Sequence, residues 1–171
     1  MINFMHVACL AFCLLITPAV FGQSVQTTAP APDVLLHVGG EVERPLKLTA
    51  DNLAKLPRRT VRAKDHGGKE SAFEGVELVE VLKLAGIKFG EELRGKSLAL
   101  FLIVDAADGY RAVFALPELD HAYTERVILL ADRCDGKPLA SSEWPLRIIV
   151  PDEKRHARWV RQVTALSVRR S

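Results

Sequence analysis

The residues best suited to chemistry gather in the second half of the chain. The segment K-R-H-A-R-W-V-R-Q (154–162) holds four Lys and Arg residues, and Arg169 and Arg170 follow. Such a run suits a phosphate or an acidic partner, against the default of a solvated edge. Cys134, in A-D-R-C-D-G-K-P-L, is the one thiol outside residues 1–22. It reads either as a redox-sensitive or ligating thiol or as an inert one beside a turn. His66 lies in K-D-H-G-G, where a polar site residue, a metal ligand and an exposed loop histidine are all open readings. His37, His121 and His156 are too far apart for an H-x-x-x-H spacing. Asp105 and Asp108 flank a turn, and hydrogen bonds from side chain to backbone account for both. A nucleophile elbow, a Walker loop, a C-x-x-C pair and a dinucleotide fingerprint are all absent from the sequence, which leaves serine hydrolase, nucleotide-dependent and thioredoxin-like chemistry without support.

The elements that must position these residues follow from composition and pattern. The 171 residues include 23 Lys and Arg against 21 Asp and Glu, a formal charge of +2. That balance argues against a nucleic-acid surface, and 6% aromatic residues argue against base stacking. Residues 1–22 carry no Asp, Glu, Lys or Arg, and their apolar run spans Val7–Ile16. They read as a signal peptide cleaved near Gly22, with an uncleaved anchor as the alternative. Residues 23–33 (QSVQTTAPAPD) read as a polar, Pro-rich leader. Residues 34–171 form the domain, expected in the periplasm or secreted, with no membrane span once the signal is removed. Cys134 alone remains there, so the hydrophobic core and not a disulfide framework must hold it.

Strands are expected at Val34–Val38, Leu46–Leu48, Arg58–Ala63, Leu98–Val104, Tyr110–Leu116, Val127–Ala131 and Leu146–Val150, with an extended segment over Trp159–Val168. The run LALFLIV (98–104) suits a strand buried on both faces. Thr49 or Asp51 caps a short helix that Pro57 ends. VELVEVLKLA (76–85) has the apolar spacing of an amphipathic helix, with Gly86 as its C-terminal cap. Many strands with few short helices make an α+β fold of strand-rich, mixed sheets.

The strings F-E-G-V-E-L (73–78), L-K-L-A-G (82–86), D-G-Y (108–110), L-L-A (129–131), D-G-K-P-L (135–139), P-L-R-I-I-V-P (145–151) and R-W-V (158–160) come in an order that resembles the oxidoreductase molybdopterin-binding domain family, the sulfite oxidase type of fold. The resemblance covers about residues 34–168. It implies a molybdenum cofactor carried on molybdopterin and held by a Cys thiolate. It also implies Tyr110 at the substrate pocket as the catalytic residue, and Arg147 and Arg158, with His66 nearby, on the cofactor side. The thiolate position, about a dozen residues before Gly75, falls at Ala63. Trp144 stands where the family often has glycine, and its indole is expected to fill cofactor space. The resemblance with these departures implies a domain degenerate at its metal, acting as a module for a small anion, a pterin-like ligand or a periplasmic protein partner. The alternative is an active molybdopterin-dependent oxidoreductase.

Overall fold

The computed structural model describes residues 33–65 and 67–171. The signal, the leader up to residue 32 and His66 lie outside the described residues. Alternating apolar and polar side chains put most of the described chain into strands. β1 (Val34–Gly40) and β2 (Leu46–Thr49) are followed by α1 (Ala50–Ala54), β3 (Arg58–Lys64), β4 (Glu70–Glu77) and α2 (Leu78–Leu84). Then come β5 (Leu100–Ala106), β6 (Arg111–Ala115), β7 (Leu129–Cys134), β8 (Lys137–Pro138), β9 (Arg147–Ile149) and β10 (Val163–Arg170). Short 3-10 turns fill several of the gaps, one of them over His156–Arg158. This is the expected α+β class of strand-rich mixed sheets.

The first sheet runs β2-β1-β10-β5-β6, and its only parallel pair among the described residues is β1 with β10. The second runs β3-β4-β7-β8, with β9 also paired to β7. One continuous core, including Leu36, Leu82, Leu102, Phe114, Leu129, Ile148 and Leu166, joins the elements. Thr49 caps α1 as expected: its hydroxyl accepts from the Asn52 backbone N–H at 3.3 Å, and the Asn52 side chain accepts from the Thr49 N–H at 3.0 Å. Gly86 ends α2 at φ +91°, the left-handed region where glycine carries no Cβ penalty.

Two expectations shift. Residues 76 and 77 belong to β4, not to the helix, because Val76 pairs with Arg58 on one side and Leu130 on the other, and these ladders outweigh helical periodicity. β5 is not sealed on both faces. Leu100, Leu102, Val104 and Ala106 are buried, whereas Phe101, Ile103 and Asp105 are half-exposed, so its second face is only partly covered. β4 also explains the glycine of F-E-G-V-E-L. The β4–β7 ladder shifts register between Glu74 and Gly75, and a Cβ on Gly75 would stand 2.1 Å from the Leu130 carbonyl oxygen and 2.6 Å from the Ala131 Cα. The bulge presses one backbone onto another, and only glycine leaves room.

Candidate functional site

Strand register gathers the polar residues of the second sheet on one face. Ala63 pairs with Ser71, Phe73 with Cys134, Gly75 with Ala131, and Ala131 with Arg147. Paired residues share a face, and so do residues two apart along a strand. Ala63, Ser71, Phe73, Cys134 and Arg147 therefore point the same way. Arg147 is only 4% exposed. Its guanidinium carbon lies 5.4 Å from the Phe73 ring centroid and 5.3 Å from that of Trp159, within cation–π range. Its Nη1 donates to Glu143 Oε1 at 2.5 Å. Its Nε, also buried, has no partner. Burial pulls the Arg147 pKa below the usual arginine value; Glu143 works against that, and Arg161 adds to it. Arg161 Nε lies 3.9 Å from the same Glu143 oxygen, so two guanidinium groups lean on one carboxylate.

Trp159 roofs this cluster. It is buried, its indole N–H donates to the Val150 carbonyl at 3.0 Å, and its ring meets Phe73 edge-on at 5.9 Å. His156 stacks on it at 4.1 Å. Beside Trp159 opens a cavity of 300 Å³ lined by Asp108, Tyr110, His156, Ala157 and Arg161. It shares His156 and Ala157 with a groove of 590 Å³ that reaches Asp65, Gly68, Lys154 and Arg155. Tyr110 is 49% exposed, and its hydroxyl donates to the Ala157 carbonyl at 2.6 Å. The structure thus places Tyr110 in the cavity and Arg147 behind Trp159.

Arg158 is elsewhere. Its Nη1 donates to both Glu118 oxygens at 3.0 and 3.1 Å, and its Nε donates to Glu153 at 2.6 Å. Its guanidinium carbon stacks 4.5 Å from the Phe114 centroid. Burial acts to lower its pKa, but the hydrogen bonds to Glu118 and Glu153 outweigh this and raise it. Arg158 lines neither the cavity nor the groove. Trp144 does not fill cofactor space: it is 54% exposed and sits over a separate depression with Leu35, Leu53 and Pro138. Ser71 and Glu143 were not singled out by the sequence, whereas Arg161 belongs to the basic segment 154–162 that was. The four-residue spacing of Glu143 and Arg147 was the one available signal; nothing marked Ser71.

Tested as a thiolate-held metal site, this face lacks its donor. Ala63 occupies the implied position and has no lone pair to give. Cys134 lies two strands away across β4, roughly 10 Å at ordinary strand spacing. Burial pushes its thiol pKa up, while a hydrogen bond with Ser71 and the charge of Arg147 pull it down. Among the described residues, no group of three or more His, Cys, Asp and Glu side chains is placed to hold a metal ion. The donor set does not fit a thiolate-bound metal, and none of the chemistry below runs through one. What the face and groove do offer is cationic: Arg161, Lys154 and Arg155 around an aromatic floor.

Comparisons with known proteins agree with the fold. The chain is similar to the crystal structure of the sulfane dehydrogenase SoxCD from Paracoccus pantotrophus, with a TM-score of 0.61 and 22% identity over 78% of this chain. It spans 37% of that chain. No curated protein sequence matches. The model of the oxidoreductase molybdopterin binding domain matches residues 24–171. By that match the chain belongs to the oxidoreductase molybdopterin-binding domain family.

Proposed function

We propose that this domain binds a small anionic ligand, phosphate-bearing or pterin-like, in the groove beside Trp159, and that it is degenerate at the family's metal. The reading rests on one observation: Arg161 lines the cavity while its Nε lies 3.9 Å from a Glu143 carboxylate that the buried Arg147 already engages. Two cations on one carboxylate leave a local positive excess, and desolvation strengthens the pull on an acceptor. Lys154 and Arg155 extend this excess along the groove. A planar ring would find Trp159 and His156 as a floor, and Arg161 would make charge-assisted bonds to its anionic group. The composition of residues 1–22 supports a site of action in the periplasm or outside the cell. An acidic surface of a periplasmic protein is the second reading, favoured by the exposure of Lys154 and Arg155 along the groove. The active molybdopterin-dependent oxidoreductase reading would need a thiolate that this face does not supply.

Thermal unfolding with inorganic phosphate, a nucleoside monophosphate and a phosphorylated pterin tests the reading. Ligand at a hundred times its Kd stabilises by about 2.7 kcal/mol, a rise of several degrees for a domain of this size. Arg161→Ala should abolish the rise. No shift with any of the three would refute a small-ligand site.

A further inference from the structure

We propose that the open edge of β3 takes an extended acidic segment of another protein as an added strand. This surface stands apart from the anion site, since none of residues 58–64 lines the cavity beside Trp159 or the groove. β3 ends the second sheet, and among the described residues no strand pairs with its far side. The Asp65 N–H donates to the Lys69 carbonyl at 2.9 Å, and Ala63 pairs with Ser71 and Val61 with Phe73. Bonded pairs alternate in an antiparallel ladder, so the backbone groups of Val61 and Ala63 turn toward β4. Those of Thr60, Arg62 and Lys64 turn outward, and all three residues are exposed. Ala72 agrees: it pairs with Arg62, yet its C=O and N–H both bond Asp135 on the β7 side, at 2.7 and 2.8 Å.

An unpaired edge is a template for an extended chain, and its charges decide which one. R-R-T-V-R-A-K (58–64) holds four cations and no acid. Arg58 and Arg59 are committed, to Asp132 at 2.6 Å and to Glu77 at 2.5 Å. Arg62 meets Glu70 only at 3.6 Å, with both side chains largely exposed. Lys64 has no ion-pair partner among the described residues. Glu70 and Glu74 lie one strand further in, on β4. Side chains of an added strand would stand roughly 5 Å from Arg62 and Lys64 but roughly 10 Å from those carboxylates, where salt screens most of the repulsion.

Cations on an edge also keep copies of one chain apart, and here they exclude self-pairing. Antiparallel β3 against β3 sets Lys64 across from Arg58, a destabilising like-charge pair. The other short or edge strands, β2, β6, β8 and β9, carry no acid, and residues 1–32 contain no Asp or Glu. The complement therefore comes from a partner strand of alternating character. It places carboxylates beside Arg62 and Lys64 on the outer face and aliphatic side chains beside the half-buried Val61 on the inner one.

The test titrates the full chain with three short peptides: alternating Glu and Val, alternating Lys and Val, and the Glu–Val peptide N-methylated throughout. Fluorescence anisotropy reads affinity, and amide hydrogen exchange reads position. Only the unmodified Glu–Val peptide should bind, with protection gained at the Thr60, Arg62 and Lys64 amides. R62E/K64E should weaken it roughly tenfold or more, because two favourable cross-strand pairs become repulsive, and should admit the Lys–Val peptide. No binding of the Glu–Val peptide, equal binding of its N-methylated form, or protection elsewhere overturns the inference. So does self-association of wild type that R62E/K64E abolishes, because a second copy then fills the edge. Inorganic phosphate, against sodium chloride of equal ionic strength, should leave the peptide in place. Displacement by phosphate moves the peptide to the groove and overturns the β3 site alone. A bound peptide on a chain that binds neither phosphate nor pterin refutes the proposed function and supports the β3 site.

Discussion

The inner faces of the two sheets use the same strand periodicity for different ends. The first sheet alternates cleanly, and what it buries is hydrocarbon: Leu36, Val38, Leu102, Val104, Phe114, Leu166 and Val168. The second buries Ala63 and Phe73 in the same way, but Ser71 and Arg147 sit among them. A buried guanidinium is destabilising unless it is paired. Here it has one carboxylate, shared with a second arginine, and two aromatic rings. A sheet built only for stability has no need of that arrangement. The first sheet therefore reads as scaffold, and the second as the surface on which the fold keeps its chemistry.

Leu102→Ala strikes the scaffold and should produce the largest change. The side chain is fully buried at the centre of β5, and its removal costs about 2–5 kcal/mol through lost transfer energy and a residual cavity. Urea unfolding measures the loss. Phosphate or pterin affinity, read on the folded fraction, should stay within twofold or so of wild type. A large change in affinity would mean that the two faces are coupled and the division into scaffold and site is wrong.

Arg158→Ala comes next and tests the boundary between the sheets. Arg158 ties Glu118 and Glu153 together and stacks on Phe114 of the first sheet. Partial exposure discounts these ion pairs, so the expected cost is about 1–2 kcal/mol. Ligand binding should be unaffected, since Arg158 lines neither cavity nor groove. Loss of phosphate binding in this variant would return Arg158 to the cofactor-side role that the family resemblance implies.

Arg147→Met sharpens the comparison most. Methionine fills similar space between Phe73 and Trp159, and Glu143 keeps Arg161. Replacing a buried ion by a hydrophobe of similar volume is often close to neutral, so stability should stay within about 1 kcal/mol of wild type. Anion-induced stabilisation should weaken, because Glu143 is then left to neutralise Arg161 alone. A loss of stability above about 3 kcal/mol with binding intact would make Arg147 a structural residue and the second sheet merely another scaffold.

How much of this was legible in the sequence follows the same division. The first sheet was: β1, β2, β5 and β6 announce themselves by apolar runs closed by Gly and Asp turns, because a scaffold obeys the patterning rules. α1 was legible through Thr49. The second sheet was harder. β4 was hidden because Val76 and Glu77 satisfy helical spacing equally well, and only pairing with β3 and β7 decides between them. Tyr110 and Arg147 came from ordered motifs. Arg161 came from the basic run 154–162, but its neighbours Ser71 and Glu143 came from strand register and a returning loop, which no local pattern encodes. Trp144 misled for the same reason. Adjacency to P-L-R along the chain does not say which side of the turn an indole takes.

The smallest expected effect concerns the hairpin that joins β7 to β8, at the edge of the second sheet. Asp135 adopts φ +50° and Gly136 φ +73°, the paired left-handed values of a tight two-residue turn. The Asp135 carboxylate accepts from the Ala72 backbone N–H at 2.8 Å, and that bond holds its pKa below the usual 3.8. A carboxyl whose folded pKa is depressed stabilises above its unfolded value, and that contribution is lost as pH falls through the folded value. Wild type should therefore lose a small increment of urea resistance on acidification below roughly pH 4. Asp135→Asn keeps the left-handed residue and an acceptor oxygen but has no charge to titrate, so its acid profile should be flatter. Identical profiles for the two proteins would show that the hairpin is held by turn geometry alone. The polar character of the second sheet would then begin only inside its buried face, at Ser71 and Arg147.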